Sequence, residues 1–228
     1  MRTSILASSI LALAIAAPAV QAHQAGDIIV RAGAVTVQTK ENSSSVKVDR
    51  PAATNLGGKA SVNNNTQLGL NFAYMVTDKW GVELLAATPF SHDVSLKGTG
   101  LSAANGKLGS LKHLPPTLSA VYYPLDSKSA FQPYIGAGIN YTVFFDESVS
   151  SRAKAEGFSN LNVKNSWGWA AQVGADYMLT DNVMINGQVR YIDIDTTAYV
   201  GALNGTARAK VDVNIKPFVY MLGLGYKF

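Results

Sequence analysis

Apolar and polar residues alternate with period two along most of the chain. From Thr66 to Thr77, Leu68, Leu70, Phe72, Tyr74 and Val76 share one parity. Gln67, Gly69, Asn71, Ala73 and Met75 share the other. Successive side chains of a strand point to opposite faces, so this run predicts a strand with one large apolar face and one small or polar face. Thr77-Asp78-Lys79 reads as a short polar turn. Trp80 to Phe90 then resumes with Trp80, Val82, Leu84, Ala86 and Phe90 against Gly81, Glu83, Leu85 and Ala87. Glu83 on a dry core face would be costly unless paired; facing a wet lumen it would not be.

The pattern recurs. Leu118, Ala120 and Tyr122 alternate with Thr117, Ser119 and Val121, and Ile135 to Val143 alternates with Gly136, Gly138, Asn140 and Thr142. Trp167 to Tyr177, Ile185 to Tyr191 and Phe218 to Phe228 behave alike, and Asp27 to Gln38 gives a less clean first strand. Eight strands of about ten residues follow, a length suited to crossing a bilayer as a tilted strand. Short connections fall at 77–79, 124–130 and 179–182, and long polar ones at about 39–65, 91–112, 145–165 and 197–209. That is the plan of an up-and-down, all-β, eight-stranded antiparallel transmembrane barrel, with long extracellular loops and short periplasmic turns. An even strand number puts both termini on the periplasmic side. Trp80, Tyr122, Tyr123, Tyr134, Trp167, Tyr177 and Tyr226 sit near strand ends, where interfacial girdles belong. A soluble sandwich or lipocalin-like barrel would bury its large apolar face and charge its outside. Here that would leave a surface very poor in charge.

The N-terminus has its own grammar. Arg2, the apolar run Ile5 to Ala17, the breaker Pro18 and the small-residue ending Val20-Gln21-Ala22 make a secretory signal peptide over residues 1–22, cut between Ala22 and His23. Residues 23–228 are then the outer-membrane barrel. Charged residues are 15 % of the 228 and apolar residues 47 %, too apolar for disorder. Without Arg2, 18 basic side chains face 15 acidic ones, and they are scattered, so no nucleic-acid partner is expected. With no cysteine, disulfides and thiolate chemistry are excluded. Tyr226 and Phe228 close the chain on an alternating aromatic strand, which resembles the signal read by the barrel-assembly machinery.

Several runs together resemble the OmpW family of outer-membrane barrels, closest to its Pseudomonas OprG-type branch. They are His113-Leu114-Pro115-Pro116-Thr117-Leu118, Gln132 to Thr142, Phe144-Phe145-Asp146, Ser166-Trp167-Gly168 with Gln172-Val173-Gly174, Arg190 to Thr197 and Pro217 to Phe228. The resemblance covers the chain beyond residue 22. It implies a barrel with an unusually apolar lumen, which small hydrophobic molecules enter from outside and leave sideways into the membrane.

Candidate chemistry is sparse. His23, His92 and His113 suggest no triad, with His92 opening a long loop and His113 near the outer rim. Asp193 and Asp195 mark a strand leaving the lipid rather than a metal site. Gly136-x-Gly138 lies within a strand with no helix after it, so it is no dinucleotide fingerprint. No enzyme, metal or cofactor is expected. The luminal parity carries the candidate solute path: Met75, Leu85, Ala87, Val121, Phe144, Met178, Ile192, Val219 and Met221. An eight-stranded barrel is barely wide enough for its own side chains, which disfavours free flow of water and ions. The expected function is passive uptake of small, mainly hydrophobic molecules. The alternatives are diffusion of small amphipathic solutes such as amino acids, and a structural or adhesive barrel acting through its loops. Outer-membrane lipid and lipopolysaccharide are the expected surroundings. Proline cannot donate to a sheet ladder. Pro89 near the loop end of the third strand and Pro115-Pro116 near the loop start of the fourth therefore mark either a gap in the wall, a candidate lateral gate, or simply the loop boundary of two strands.

Overall fold

The computed structural model describes residues 21–39, 41–50, 53–100 and 102–228. Arg2, the apolar run after it and Pro18 lie outside these residues. Sixteen strands are present among them. In chain order they are β1 (Ile28–Gln38), β2 (Glu41–Ser43), β3 (Val46–Arg50), β4 (Thr54–Val62), β5 (Asn65–Met75), β6 (Trp80–Ala87), β7 (Phe90–Thr99), β8 (Gly106–Leu114), β9 (Thr117–Tyr122), β10 (Phe131–Val149), β11 (Ser159–Val163), β12 (Ser166–Met178), β13 (Val183–Ile192), β14 (Ile194–Ala202), β15 (Ala207–Ile215) and β16 (Phe218–Lys227).

Eight of them close a ring. The order is β1-β5-β6-β9-β10-β12-β13-β16, and β16 returns to β1 through the register Ile29↔Lys227 to Gln38↔Phe218. All pairings are antiparallel, so the wall has no free edge. The predicted eight-stranded barrel is this ring. Its outside is a belt of exposed apolar side chains, among them Leu68, Phe72, Val82, Ile135, Ile139, Val173, Leu222 and Leu224. Exposures of 67 % at Leu222 and 68 % at Trp167 fit a hydrocarbon solvent rather than water. Aromatic contacts bound the belt. Trp80–Tyr122 and Tyr226–Phe228 lie at the short-turn end, and Tyr141–Trp167, Trp169–Tyr191 and Tyr191–Phe218 lie at the other. Tyr123 and Tyr134 are not part of either girdle. Both face inward and are buried.

The wall does not end at the belt. The segments 39–65, 91–112, 145–165 and 197–209, expected as long polar connections, are largely strand. They form a second row, β11-β14-β15-β3-β4-β7-β8-β10, with β2 on β15. Side chains help hold its two ends together: the Phe144 N–H donates to Asn165 Oδ1 at 3.0 Å and the Val163 N–H to Glu147 Oε1 at 3.3 Å. Alternation is inverted here. Val94, Leu96, Ala209, Val211 and Val213 point inward and are buried, while Asp93, Lys97 and Asp212 point out. This upper unit meets water, so its apolar face turns in.

A waist divides the two units. Of the eight strand crossings only β10 is continuous; the other seven are interrupted by one or more residues. One of these interruptions lies at the prolines. Pairing of β6 with β9 stops at Leu85↔Thr117, and pairing of β7 with β8 starts at Phe90↔His113. Residues Ala86 to Pro89 and Leu114 to Pro116 form no rung between them. The Thr88 N–H turns to Leu68 O on β5 at 3.0 Å. Asn140 Nδ2 donates to Pro115 O and Pro116 O, each at 3.0 Å. These carbonyls are thus satisfied from β10 on one side rather than from β6 on the other.

Candidate functional site

Inside the ring, four charged side chains meet. Each sits on the inward parity of a different strand: Arg31 on β1, Glu83 on β6, Asp176 on β12 and Arg190 on β13. Arg31 clamps Asp176 with Nε–Oδ1 at 2.9 Å and Nη2–Oδ2 at 2.5 Å. Its Nη1 donates to Glu83 Oε2 at 3.3 Å and Asn71 Oδ1 at 3.1 Å, and its Nη2 to Tyr123 OH at 2.9 Å. Arg190 Nη2 donates to Glu83 Oε1 at 2.5 Å, and its Nε to Gln172 Oε1 at 2.7 Å. Asn186 Nδ2 joins Asp176 at 2.8 Å to Tyr134 OH at 3.0 Å, and His23 Nε2 lies 2.9 Å from Asp176 Oδ2. Two cations balance two anions, and Arg31, Glu83 and Asp176 are completely buried. A buried charge survives only when paired and hydrogen-bonded. Glu83 therefore does not face a wet lumen, as its sequence setting suggested. It is half of a charged floor.

The expected luminal residues do point inward, but the floor separates them. Met75, Val121 and Met178 pack below it with Ile29, Met184 and Ala22. Leu85, Ile192, Val219 and Met221 pack above it with Phe90, Val35 and Ile194, and half-buried Ala87 and Phe144 lie against them.

Above this layer is an apolar chamber. Val37, Val94, Leu96, Leu111, Phe144, Val163, Ile194 and Ile215 line it, together with His92 and His113. The two histidines were expected at a loop start and at the rim. Instead they are inward-facing neighbours on β7 and β8, their rings 4.8 Å apart and stacked at 27°. Phe90 stacks on His113 at 5.4 Å, and Phe144 lies 5.8 Å away on the other strand. The His92–His113 region lies above the lipid belt. There burial lowers the His92 imidazole, and burial with repulsion from His92 pushes His113 down to about 3. Pro89 is exposed, Pro116 half-buried and Pro115 buried, all at the waist just below the Phe90↔His113 rung. Among the described residues no group of three or more His, Cys, Asp or Glu side chains could hold a metal ion.

A lipid-facing closed ring with a charged floor and an apolar chamber above it is the architecture of an integral β-barrel of the bacterial outer membrane. The chain belongs to the OmpW family, whose sequence model matches residues 24–228. It is 46 % identical to outer membrane protein W of Vibrio cholerae over 228 residues, with each chain covered in full. The crystal structure of outer membrane protein OprG from Pseudomonas aeruginosa is similar at 50 % identity and TM-score 0.85, covering 92 % of this chain and 99 % of that one. The dibenzothiophene metabolism operon protein PahQ of Pseudomonas aeruginosa is 29 % identical, over 75 % of this chain and 76 % of its own.

Proposed function

We propose that this barrel admits small, mainly hydrophobic molecules passively from outside and releases them sideways into the outer membrane. The observation that carries this reading is the order of features along the barrel. An apolar solute gains free energy on entering the chamber, because apolar surface leaves water. Below it meets the Arg31–Glu83–Asp176–Arg190 floor, where it would have to displace ion pairs that have no water to replace them. The interrupted ladder between Ala86–Pro89 and Leu114–Pro116 lies between chamber and floor, level with the aromatic girdle, where the Tyr141 N–H donates to Pro116 O. A break in a wall facing hydrocarbon is tolerable where the backbone lines a cavity, and Leu85, Ala87, Ile192, Val219 and Met221 give it an apolar approach. Met75, Val121 and Met178, beneath the floor, are off this route and close the periplasmic end. The name of the PahQ relative ties that protein to metabolism of dibenzothiophene, an apolar aromatic. No step in this reading is chemical, so the protein acts without catalysis.

The test restores the missing donors. Cells with intact lipopolysaccharide and carrying the triple variant Pro89→Ala, Pro115→Ala, Pro116→Ala are compared with the parent for uptake of apolar solutes. Slower uptake by a folded barrel is expected. Parental uptake rates in a correctly folded triple variant would refute the lateral exit.

A further inference from the structure

The histidine pair is more polar than the chamber around it needs. The His92 Nδ1–H donates to Asn63 O at 2.6 Å, which fixes its tautomer and leaves a lone pair on Nε2. That Nε2 is buried without a partner, and so is His113 Nδ1. The His113 ring has no hydrogen-bond partner among the described residues. A neutral imidazole has one N–H and one lone pair, so the pair offers the chamber two acceptors and one donor. Buried polar atoms without partners are costly, and native structures keep few of them. Here they lie in a wall otherwise made of groups such as Val37, Val94, Leu111 and Val163. They also sit within a stack of near-parallel rings, Phe90, His113 and His92, inclined at about 25° to one another.

We infer that His92 and His113 form a recognition station for flat aromatic solutes bearing a single N–H or O–H donor. The inference rests on the uptake reading and narrows its solute class. The rings supply offset stacking for a planar molecule. The excess of lone pairs over donors favours a solute that donates. A plain hydrocarbon leaves both nitrogens unmet. A zwitterion brings an ammonium into a wall that carries no carboxylate to meet it. The station adjoins the Phe90↔His113 rung, the first above the strand interruption, so an occupant waits beside the sideways opening.

Indole and indene share one fused-ring shape and differ by the indole N–H. Their binding to the folded barrel in detergent micelles is followed through the imidazole ¹⁵N resonances. Indole is expected to move the His113 and His92 signals and to bind about fivefold more tightly than indene. In His113→Phe, which keeps a ring in the stack, the preference should shrink, and in His92→Phe/His113→Phe it should vanish while indene still binds. Equal binding of the two by the parent overturns the station, and so does a preference that survives in the folded double variant. If the double variant does not fold, the single variant decides by the same criterion. A parallel arm measures entry of both solutes into cells with and without the barrel. If neither enters faster through the barrel, the uptake reading fails, while the micelle experiment still decides the station.

Discussion

Arg31 is the residue on which the floor depends, since it touches both Asp176 and Glu83. Removing one partner of a buried charge network leaves the others desolvated and unmatched. Arg31→Met should lower the unfolding free energy by about 3–5 kcal/mol, read as an earlier urea midpoint in lipid vesicles. A midpoint at the parental value would show that the network contributes nothing to stability. His113 supports a different test. Its imidazole is held down from 6.5 to about 3 by burial and by His92. Between those values the unfolded chain binds the extra proton and the folded chain does not. The contribution to stability is thus complete above pH 6.5 and drains away as pH falls toward 3. An imidazole ¹⁵N titration should find His113 neutral at pH 5, and a midpoint at 6 or above would contradict this. Glu83 could be singled out from sequence because it broke an apolar parity. Arg31 could not, because it lies in the one strand whose alternation is unclean. The missed signal was collective: two Arg, one Asp and one Glu on the inward parity of four strands, equal in charge.

Among the elements, β16 carries the aromatics expected to serve assembly. Phe228, just past its end, is 70 % exposed; its N–H donates to Ile28 O at 2.8 Å and its ring meets Tyr226 at 4.7 Å. So little burial means little stabilisation in the finished barrel. Deleting Phe228 should reduce the amount of folded protein recovered from outer membranes, while the purified variant melts close to the parent. Normal yield in cells would remove the assembly role from Phe228. The ring strands were legible because lipid demands large apolar side chains outside and a narrow lumen demands small or polar ones inside. Gly174 shows the second constraint: a Cβ there would lie 2.5 Å from the inward-facing Tyr134 ring and hydroxyl. The upper strands were not legible as barrel wall. Above the belt water replaces lipid, the alternation reverses, and segments such as Ala207–Ile215 show lysine, arginine and aspartate on the face that had marked the outside. Short interrupted strands with charged outer faces read as loops.

For the whole molecule, the N-terminal end of the described chain, on both sides of the expected cleavage bond, packs into the short-turn end of the barrel. Ala22 and His23 are buried at the periplasmic mouth. The Ala22 N–H donates to Ser127 O at 2.6 Å, and Lys227 Nζ donates to Gln21 O at 2.6 Å and Ala22 O at 2.5 Å. The bond between Ala22 and His23, where cleavage is expected, is buried in the folded barrel, so cleavage before folding is the expected order. Full-length chain refolded in micelles should resist the peptidase, and the same chain in urea should be cut; equal cleavage of both would refute this order of events. The interrupted waist has an evolutionary consequence. Seven of the eight crossings already lack continuous pairing, and β10 alone carries an unbroken strand across. The extracellular unit is thus a cassette that can be transplanted without rewriting the lipid-embedded one. A chimera that keeps this lower ring and takes its upper unit from the Vibrio cholerae relative, joined at the interruptions and within β10, should still insert. Its choice of solute should be inherited from the donor of the upper half.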